Sequence, residues 1–442
     1  MLKGWIIPDA SYRVMTKENF GGAFRWMQKA ILLLALLIGC FLFPRKSFSA
    51  PDPTLAEVKN TIDATKPVTQ SVRRLDGRVL TPDQVESAVE RLMTAGKVPG
   101  LALAILNDGE IVYLRGFGLR NVEQLAPLNE STIMYAASFT KSIFAFMVMQ
   151  LVAEGSFDLD KPIGQYLKRS LSEYEKYSDL AGDNRWERFT GRMLLSHTSG
   201  LPNWRWFNPD EKLDIKFDPG SKYSYSGEGI NLLQFVIEEH IGRSVGDMMK
   251  ERVFGPFGMT RTNMVWDPSF EDNFALGYDE QGKVIGHKKR QAPRAAGSAD
   301  SDITGIARFL RGVLRGEGLP PRFHQEMLSP TIRIRSRYQF PTPSEEWTDR
   351  DDAIRLSYGL GWGLFWSPYG KAFFKEGHDD GWENYMVAFE DSKTALIVMA
   401  SSSNGESIFV ELLEALIADT YSPSAWNRYV PYSHKQEPSV AP

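Results

Sequence analysis

The run "SIFAFMVMQLV", residues 142 to 152, is apolar on every side of the helix it would form. A helix with no polar face has to be buried, because no orientation gives it water on one side and a core on the other. The chain must therefore close around this segment. Lys141 stands directly before it, with Ser138 three residues earlier, in "YAASFTKSIFAF". At that spacing the two side chains share one helical face. Ser138 at the helix start would sit among free backbone N–H groups and the positive end of the dipole, which suits a developing oxyanion. Burial makes a charged lysine costly and pushes its pKa down towards that of a base. The same residues also fit a capping serine beside an exposed first-turn lysine. S-x-x-K is short, and these residues alone leave the two readings level.

The chain can supply the core this helix demands. Its 442 residues are 43% hydrophobic and 24% charged, enough for one large domain or two to three smaller ones. A net charge of −4 and a pI near 6.0 give no basic footprint, which argues against nucleic acid as a partner. Residues 1–50 read as an N-terminal extension and export signal. Lys29 precedes an apolar run from Ala30 to Phe43, too short for the roughly 20 residues of a membrane span, and small residues follow at Ser47, Ser49 and Ala50. Leu37-Ile38-Gly39-Cys40 also resembles a lipobox, so a lipid anchor at Cys40 is the alternative; the signal or that anchor is the one expected membrane attachment. Cys40 is the sole cysteine, so a mature chain without it has no disulfide, thiolate zinc site or cysteine catalysis.

Residues 51–77, polar and carrying Pro51, Pro53 and Pro67, read as a linker, and 426–442 as a disordered tail. Between them, 78–425 forms the folded domain. Thr81-Pro82-Asp83 opens a helix running to about Ala95. Asn107-Asp108-Gly109 marks a hairpin between two β-rich runs. The helix with Ser138 ends at Gly155, "GINLLQFVIEEH" and "DSDITGIARFLRGVL" are helices, and "YGLGWGLF", "YMVAFE" and "TALIVMAS" are strand-like before a last helix, "ESIFVELLEALIADT". Strands at both ends of the chain predict an α+β fold. An antiparallel sheet flanked by helices would use about 78–130 and 300–425, with a mainly helical lobe over about 131–299 and a cleft where the two meet.

Several segments, taken in order from about residue 78 to 420, resemble the serine β-lactamase and penicillin-binding-protein superfamily, especially its class C and family VIII esterase branch. They are "TIMYAASFTKSIFAFMVMQLVAEGSFDLDKPI", "MLLSHTSGLPNW", "YSYSGEGINLLQ", "AAGSADSDITGIARFL" and "FKEGHDDGWENYMVAFE". The resemblance implies the β-lactamase/transpeptidase-like fold, with Ser138 as the acylated nucleophile and Lys141 taking its proton. It implies Tyr225 as second base, exchanging a proton with the leaving group; Tyr223 is the rival phenol two residues earlier. A phenol flanked by lysine can be partly deprotonated. The oxyanion donors would be the N–H groups of Ser138 and Gly381. Gly227 stands where the family often has an asparagine that binds the substrate's amide. The strand motif, K-T-G or H-x-G in the family, reads His378-Asp379-Asp380, although a one-residue slip would make Gly381 its glycine. A histidine mostly neutral at pH 7 and two aspartates would not hold a substrate carboxylate. Trp204, Trp206, Phe207 and Trp382 could form an apolar rim, or be core.

Two other patterns read as decoys. Gly242-Arg243-Ser244-Val245-Gly246 matches G-x-S-x-G but follows a helix, so Gly242 reads as a C-cap and Ser244 as the next helix's cap. His197 and His378-Asp379-Asp380 lack metal-ligand spacing, and His197 reads as a loop-fixing hydrogen-bonder. The expectation is an exported serine hydrolase without cofactor, acting on a small ester or amide that lacks a carboxylate at the strand-motif subsite, its oligomeric state left open. A D,D-peptidase or class C-like β-lactamase is the alternative within the class; a non-catalytic binder is the alternative outside it.

Overall fold

One antiparallel sheet of ten strands organises the computed structural model, which describes residues 67–343 and 346–433, all within the unit Leu55–Pro442. Its strands are β1 Val68–Thr69, β2 Gly100–Asn107, β3 Glu110–Asn121, β4 Ala126–Pro127, β5 Ile332–Arg333, β6 Ser357–Tyr358, β7 Gly363–Ser367, β8 Gly370–Asp379, β9 Trp382–Phe389 and β10 Thr394–Ala400. Their order is β1-β3-β2-β10-β9-β8-β7-β6-β5, with β4 paired to β3. The seam between the two ends of the chain is β2 against β10, in register from Ala395↔Leu106 to Ala400↔Leu101.

Both faces of this sheet are covered, which is why β2, "GLALAILN", is apolar without alternation. Ala102, Ala104 and Leu106 enter one core and Leu101, Leu103 and Ile105 the other, as a period of two requires. Helix α1, Pro82–Gly96, lies on the second face; Thr81 caps it and trades hydrogen bonds with Gln84. Helix α2, Phe139–Ala153, lies in the first core with every residue from Phe139 to Met149 buried, as its all-apolar surface demands. Helices α3, Gly227–Ile241, and α4, Ile303–Arg315, complete that side, and α5, Phe409–Ile417, packs beside α1. Among the described residues no helix is long and apolar enough to cross a membrane.

The sequence boundaries shift in three places. The end of the expected linker belongs to the domain: Val68–Thr69 pairs with β3, and Val72 is fully buried. Trp426, assigned to the tail, is fully buried against Tyr223 and Phe374. "YGLGWGLF" is two strands, because Gly361 turns the chain with φ 81° where a Cβ would overlap Ala145. The export signal, Cys40, residues 51–66 of the linker and the tail from 434 lie outside the described residues.

Candidate active site

The chain enters α2 through Ala137, whose φ of 46° is a conformation that non-glycine residues avoid. Ser138 follows as N-cap in helical geometry (φ −74°, ψ −2°) and its side chain makes no capping hydrogen bond. Its Oγ lies 2.8 Å from Lys141 Nζ instead. The capping-serine reading therefore fails, and so does the exposed lysine, since Lys141 is 1% exposed. Lys141 Nζ also donates to the carbonyl of Ala296. Burial, and next the charge of Lys375, push this amine well below the ordinary lysine value. A neutral amine in hydrogen-bond contact with a hydroxyl is equipped to take its proton.

Tyr225 is held just ahead of α3, where the Ser226 hydroxyl caps the helix by accepting from Gly229 N–H at 2.8 Å. Its phenol lies beside the Ser138 side chain and accepts a hydrogen bond from Lys375 Nζ at 3.3 Å. Lys141 Nζ sits 4.9 Å from its ring centre. Burial first, then the nearby Glu376, hold this phenol well above its ordinary value. The expected partial deprotonation is thus overturned: Tyr225 rests as a proton donor. Tyr223 faces away, packed on Tyr358 at 5.2 Å and Trp426 at 5.8 Å. His197 accepts from Ser226 N–H at 3.2 Å and lies 4.4 Å from the Tyr225 ring, with burial keeping it neutral. It fixes the loop, as its sequence context implies.

The strand motif sits three residues earlier than the sequence reading put it. A Cβ on Gly377 would lie 3.3 Å from Ser138 N and 2.9 Å from the Ala136 carbonyl, so here the bare backbone of β8 passes the serine. Lys375-Glu376-Gly377 is the segment at the site. The hairpin pairs Ser367↔Gly370 and Asp379↔Trp382 each close a two-residue loop, which makes both of them hydrogen-bonded pairs. Even-numbered residues of β8 therefore turn their N–H groups towards β7, and β7 ends opposite Phe374. The N–H of His378, next to Gly377, is left facing the open edge beside Ser138.

The other expected residues part company with the site. Gly381 is in the hairpin loop, and its N–H donates to Ser403 Oγ at 2.8 Å. It lies beyond the end of β8 and its one backbone donor is taken, so it does not serve Ser138. The His378 side chain alternates onto the opposite sheet face and pairs with Glu383 at 2.5 Å; that hydrogen bond raises its pKa to about 9, so it is charged at neutral pH. His378, Glu383 and Glu406 bring ligand-type atoms within 4.8 Å of one another, but a protonated imidazole makes the group an ion-pair cluster. Asp379 is paired with Lys288 at 3.1 Å and Arg290 at 3.5 Å, and Asp380 is exposed at the loop. Trp382 is core: 3% exposed, it packs on His287 at 5.0 Å and Tyr135 at 6.3 Å. Trp204 stays at the site, 5.9 Å from Lys141 Nζ and against Gly227. Ser244 caps the helix Val245–Met249 and Gly242 ends α3, so the G-x-S-x-G match is structural. The sequence reading missed Lys375, Glu376 and Gly377.

The family model described as Beta-lactamase matches residues 85–419. A D-aminopeptidase of Gluconobacter oxydans is 26% identical over 44% of this chain and 38% of its own. Penicillin-binding protein 4* of Bacillus subtilis is 24% identical over 75% and 74%. Esterase EstB of Burkholderia gladioli is 27% identical over 45% and 54%. The match thus spans well under half the length of the D-aminopeptidase. The octameric penicillin-binding protein homologue from Pyrococcus abyssi shares the fold, with a TM-score of 0.62 at 24% identity over 77% of this chain and 80% of that one.

Proposed function

Because this chain belongs to the beta-lactamase family, we propose that it is a serine hydrolase working through an acyl-enzyme on Ser138. One observation carries the reading: a buried amine, driven towards neutrality, lies 2.8 Å from the hydroxyl that opens a buried helix. In the first step Ser138 Oγ attacks a carbonyl and passes its proton to Lys141. The oxyanion is met by the N–H groups of Ser138 and His378. As the intermediate collapses, Tyr225 protonates the departing alcohol or amine and recovers a proton from the Lys141 ammonium. Water repeats the sequence on the acyl-enzyme and restores Ser138.

The substrate we propose is a small ester or amide without a carboxylate next to β8. The original reason for this, a neutral histidine flanked by two free aspartates, does not survive. Its replacement is Glu376, which already pairs with Lys375 at 2.5 Å and so supplies the anion that a substrate carboxylate would otherwise provide. The similarity to an esterase and a D-aminopeptidase supports the same class. The match to penicillin-binding protein 4* over most of both chains keeps peptidase or β-lactamase action as the second reading. We also place the protein outside the cytoplasm, on the strength of the apolar run Ala30–Phe43 alone.

A fluorophosphonate probe and a substrate panel test the proposal. The wild type is expected to be labelled and Ser138→Ala not, with a short-chain nitrophenyl ester turned over faster than an anionic cephalosporin. Absence of wild-type labelling would favour a non-catalytic binder, and a faster cephalosporin the second reading.

A further inference from the structure

We propose that Trp204, Trp206 and Phe207 form the acyl-group subsite of this enzyme, built for a flat aromatic or apolar acyl group in place of one carrying an amide. This rests on the acyl-enzyme reading above and deepens it. The first observation is at Gly227, two residues past Tyr225. A Cβ there would stand 2.5 Å from Cζ3 and 2.9 Å from Cζ2 of Trp204. The indole fills the space into which a side chain at 227 would extend, so a polar group from that position and Trp204 exclude each other.

The second observation is the direction in which the aromatic surface continues. Trp206 stacks on Trp204 with ring centres 4.9 Å apart and planes 7° from parallel, and Phe207 meets Trp206 edge-on at 6.2 Å. Trp204 is partly buried, Trp206 is 50% exposed and Phe207 65%. The surface thus runs from the nucleophile's lysine out to water. Among the described residues the exposed large aromatics are these two and Trp347, so their adjacency is not a general feature of the surface.

The third observation is that the surface is rigid. Arg205, between the two tryptophans, forms a two-pronged pair with Glu228 at 3.0 and 2.9 Å, and its own N–H donates to the same carboxylate at 3.2 Å. The N–H groups of Gly227 and Glu228 donate to the Asn203 carbonyl at 3.1 and 3.0 Å. The loop is thereby fastened to the start of α3, in fixed relation to Tyr225, and a pre-formed apolar face loses little entropy on binding.

The four substituents of the reacting carbon assign the occupant. One is Ser138 Oγ; the oxyanion faces β8; the leaving group must reach the Tyr225 hydroxyl, which is directed at Lys375. The acyl group is what remains for the Trp204 side. Aromatic faces there reward flat apolar groups through offset stacking and dispersion.

The test uses the full chain and aryl esters, nitrophenyl and naphthyl, that vary the acyl and alcohol parts separately. Wild type is expected to favour phenylacetyl over acetyl esters in kcat/KM. Trp206→Ala should lower that ratio about three- to tenfold, mainly through KM. Phe207→Ala, at the most exposed ring, should lower it in the same direction. Equal losses on both acyl groups, or a preference that follows the alcohol part, would overturn the subsite while leaving Ser138 labelling intact. Loss of wild-type labelling by a fluorophosphonate would instead remove the acyl-enzyme reading, and the subsite with it.

Discussion

Two lysines and one carboxylate meet at the site, and the carboxylate decides how the lysines share charge. Glu376 Oε1 accepts from Lys375 at 2.5 Å and from Gln339 at 2.7 Å, with Tyr223, Tyr225 and Tyr358 around it. Burial lowers the Lys375 pKa, and Glu376 opposes that by pairing with the ammonium. In Glu376→Gln, burial acts with no such opposition and Lys375 loses its proton at lower pH. The alkaline limb of kcat/KM, set by a Lys375 ammonium holding Tyr225, should then move down by about one unit or more. A pH–rate profile from 5 to 11 checks this; an alkaline limb that stays in place would show that Lys375 does not set it. That Ser138 and Lys141 are neighbours was legible because both lie on one turn of one helix, but spacing left their role level with a capping serine and an exposed lysine, and the family resemblance decided it. Tyr225 became legible only through the family resemblance. The contact of Glu376 with Gln339, 37 residues upstream, is a different matter, because nothing local announces such a pairing.

The same contrast appears among the elements. The hairpin at Asp108-Gly109 was readable because both residues take positive φ, 52° and 75°, a pattern that Asp-Gly favours. Asp380-Gly381 is the same dipeptide in a second two-residue loop, between β8 and β9, although there Gly381 alone of the two takes positive φ, 80°. Treating it as part of a catalytic motif shifted β8 by three residues, and that shift produced the errors at His378, Asp379 and Gly381. The hairpin signal was present and would have put Lys375-Glu376-Gly377 at the serine. Elsewhere packing reverses what local rules imply. Gly312 lies inside α4, where alanine ordinarily gains about 1 kcal/mol in helix stability. Here a Cβ would overlap Phe257, whose ring is set edge-on against Phe146 at 5.3 Å and Phe309 at 5.8 Å and has no room to withdraw. Overpacking of about 1–3 kcal/mol should outweigh the propensity gain. Gly312→Ala is therefore expected to lower the urea midpoint of unfolding, and a raised midpoint would mean that the Phe257 cluster yields.

For the whole molecule, the sheet drawn from both chain ends was foreseeable, because apolar strands flank a helical middle and must find each other. The place of Trp426 was not, since the three prolines and many polar residues of 426–442 imitate a disordered tail. Trp426 is fully buried within that stretch and ties three distant segments together. Its indole N–H donates to Ser336 Oγ at 3.2 Å, and its carbonyl accepts from Gln339 N–H at 3.0 Å. Its ring packs on Tyr223, two residues from Tyr225, and on Phe374, one residue from Lys375. Phe340, beside Gln339, covers the Tyr225 ring at 5.4 Å. Trp426 thus braces the segment that roofs the proton donor and the residue that binds Glu376. Trp426→Ala should cost about 3–5 kcal/mol in chemical denaturation, as for other buried tryptophans. It should also lower kcat/KM under conditions where the protein stays folded. Trp426→Phe keeps an aromatic ring and loses the N–H donor, so it should cost less and retain most turnover. If Trp426→Ala unfolded at the wild-type denaturant concentration, the C-terminal stretch would be the loose tail its composition suggests, and the roof over Tyr225 would have to be held by the 336–340 segment alone.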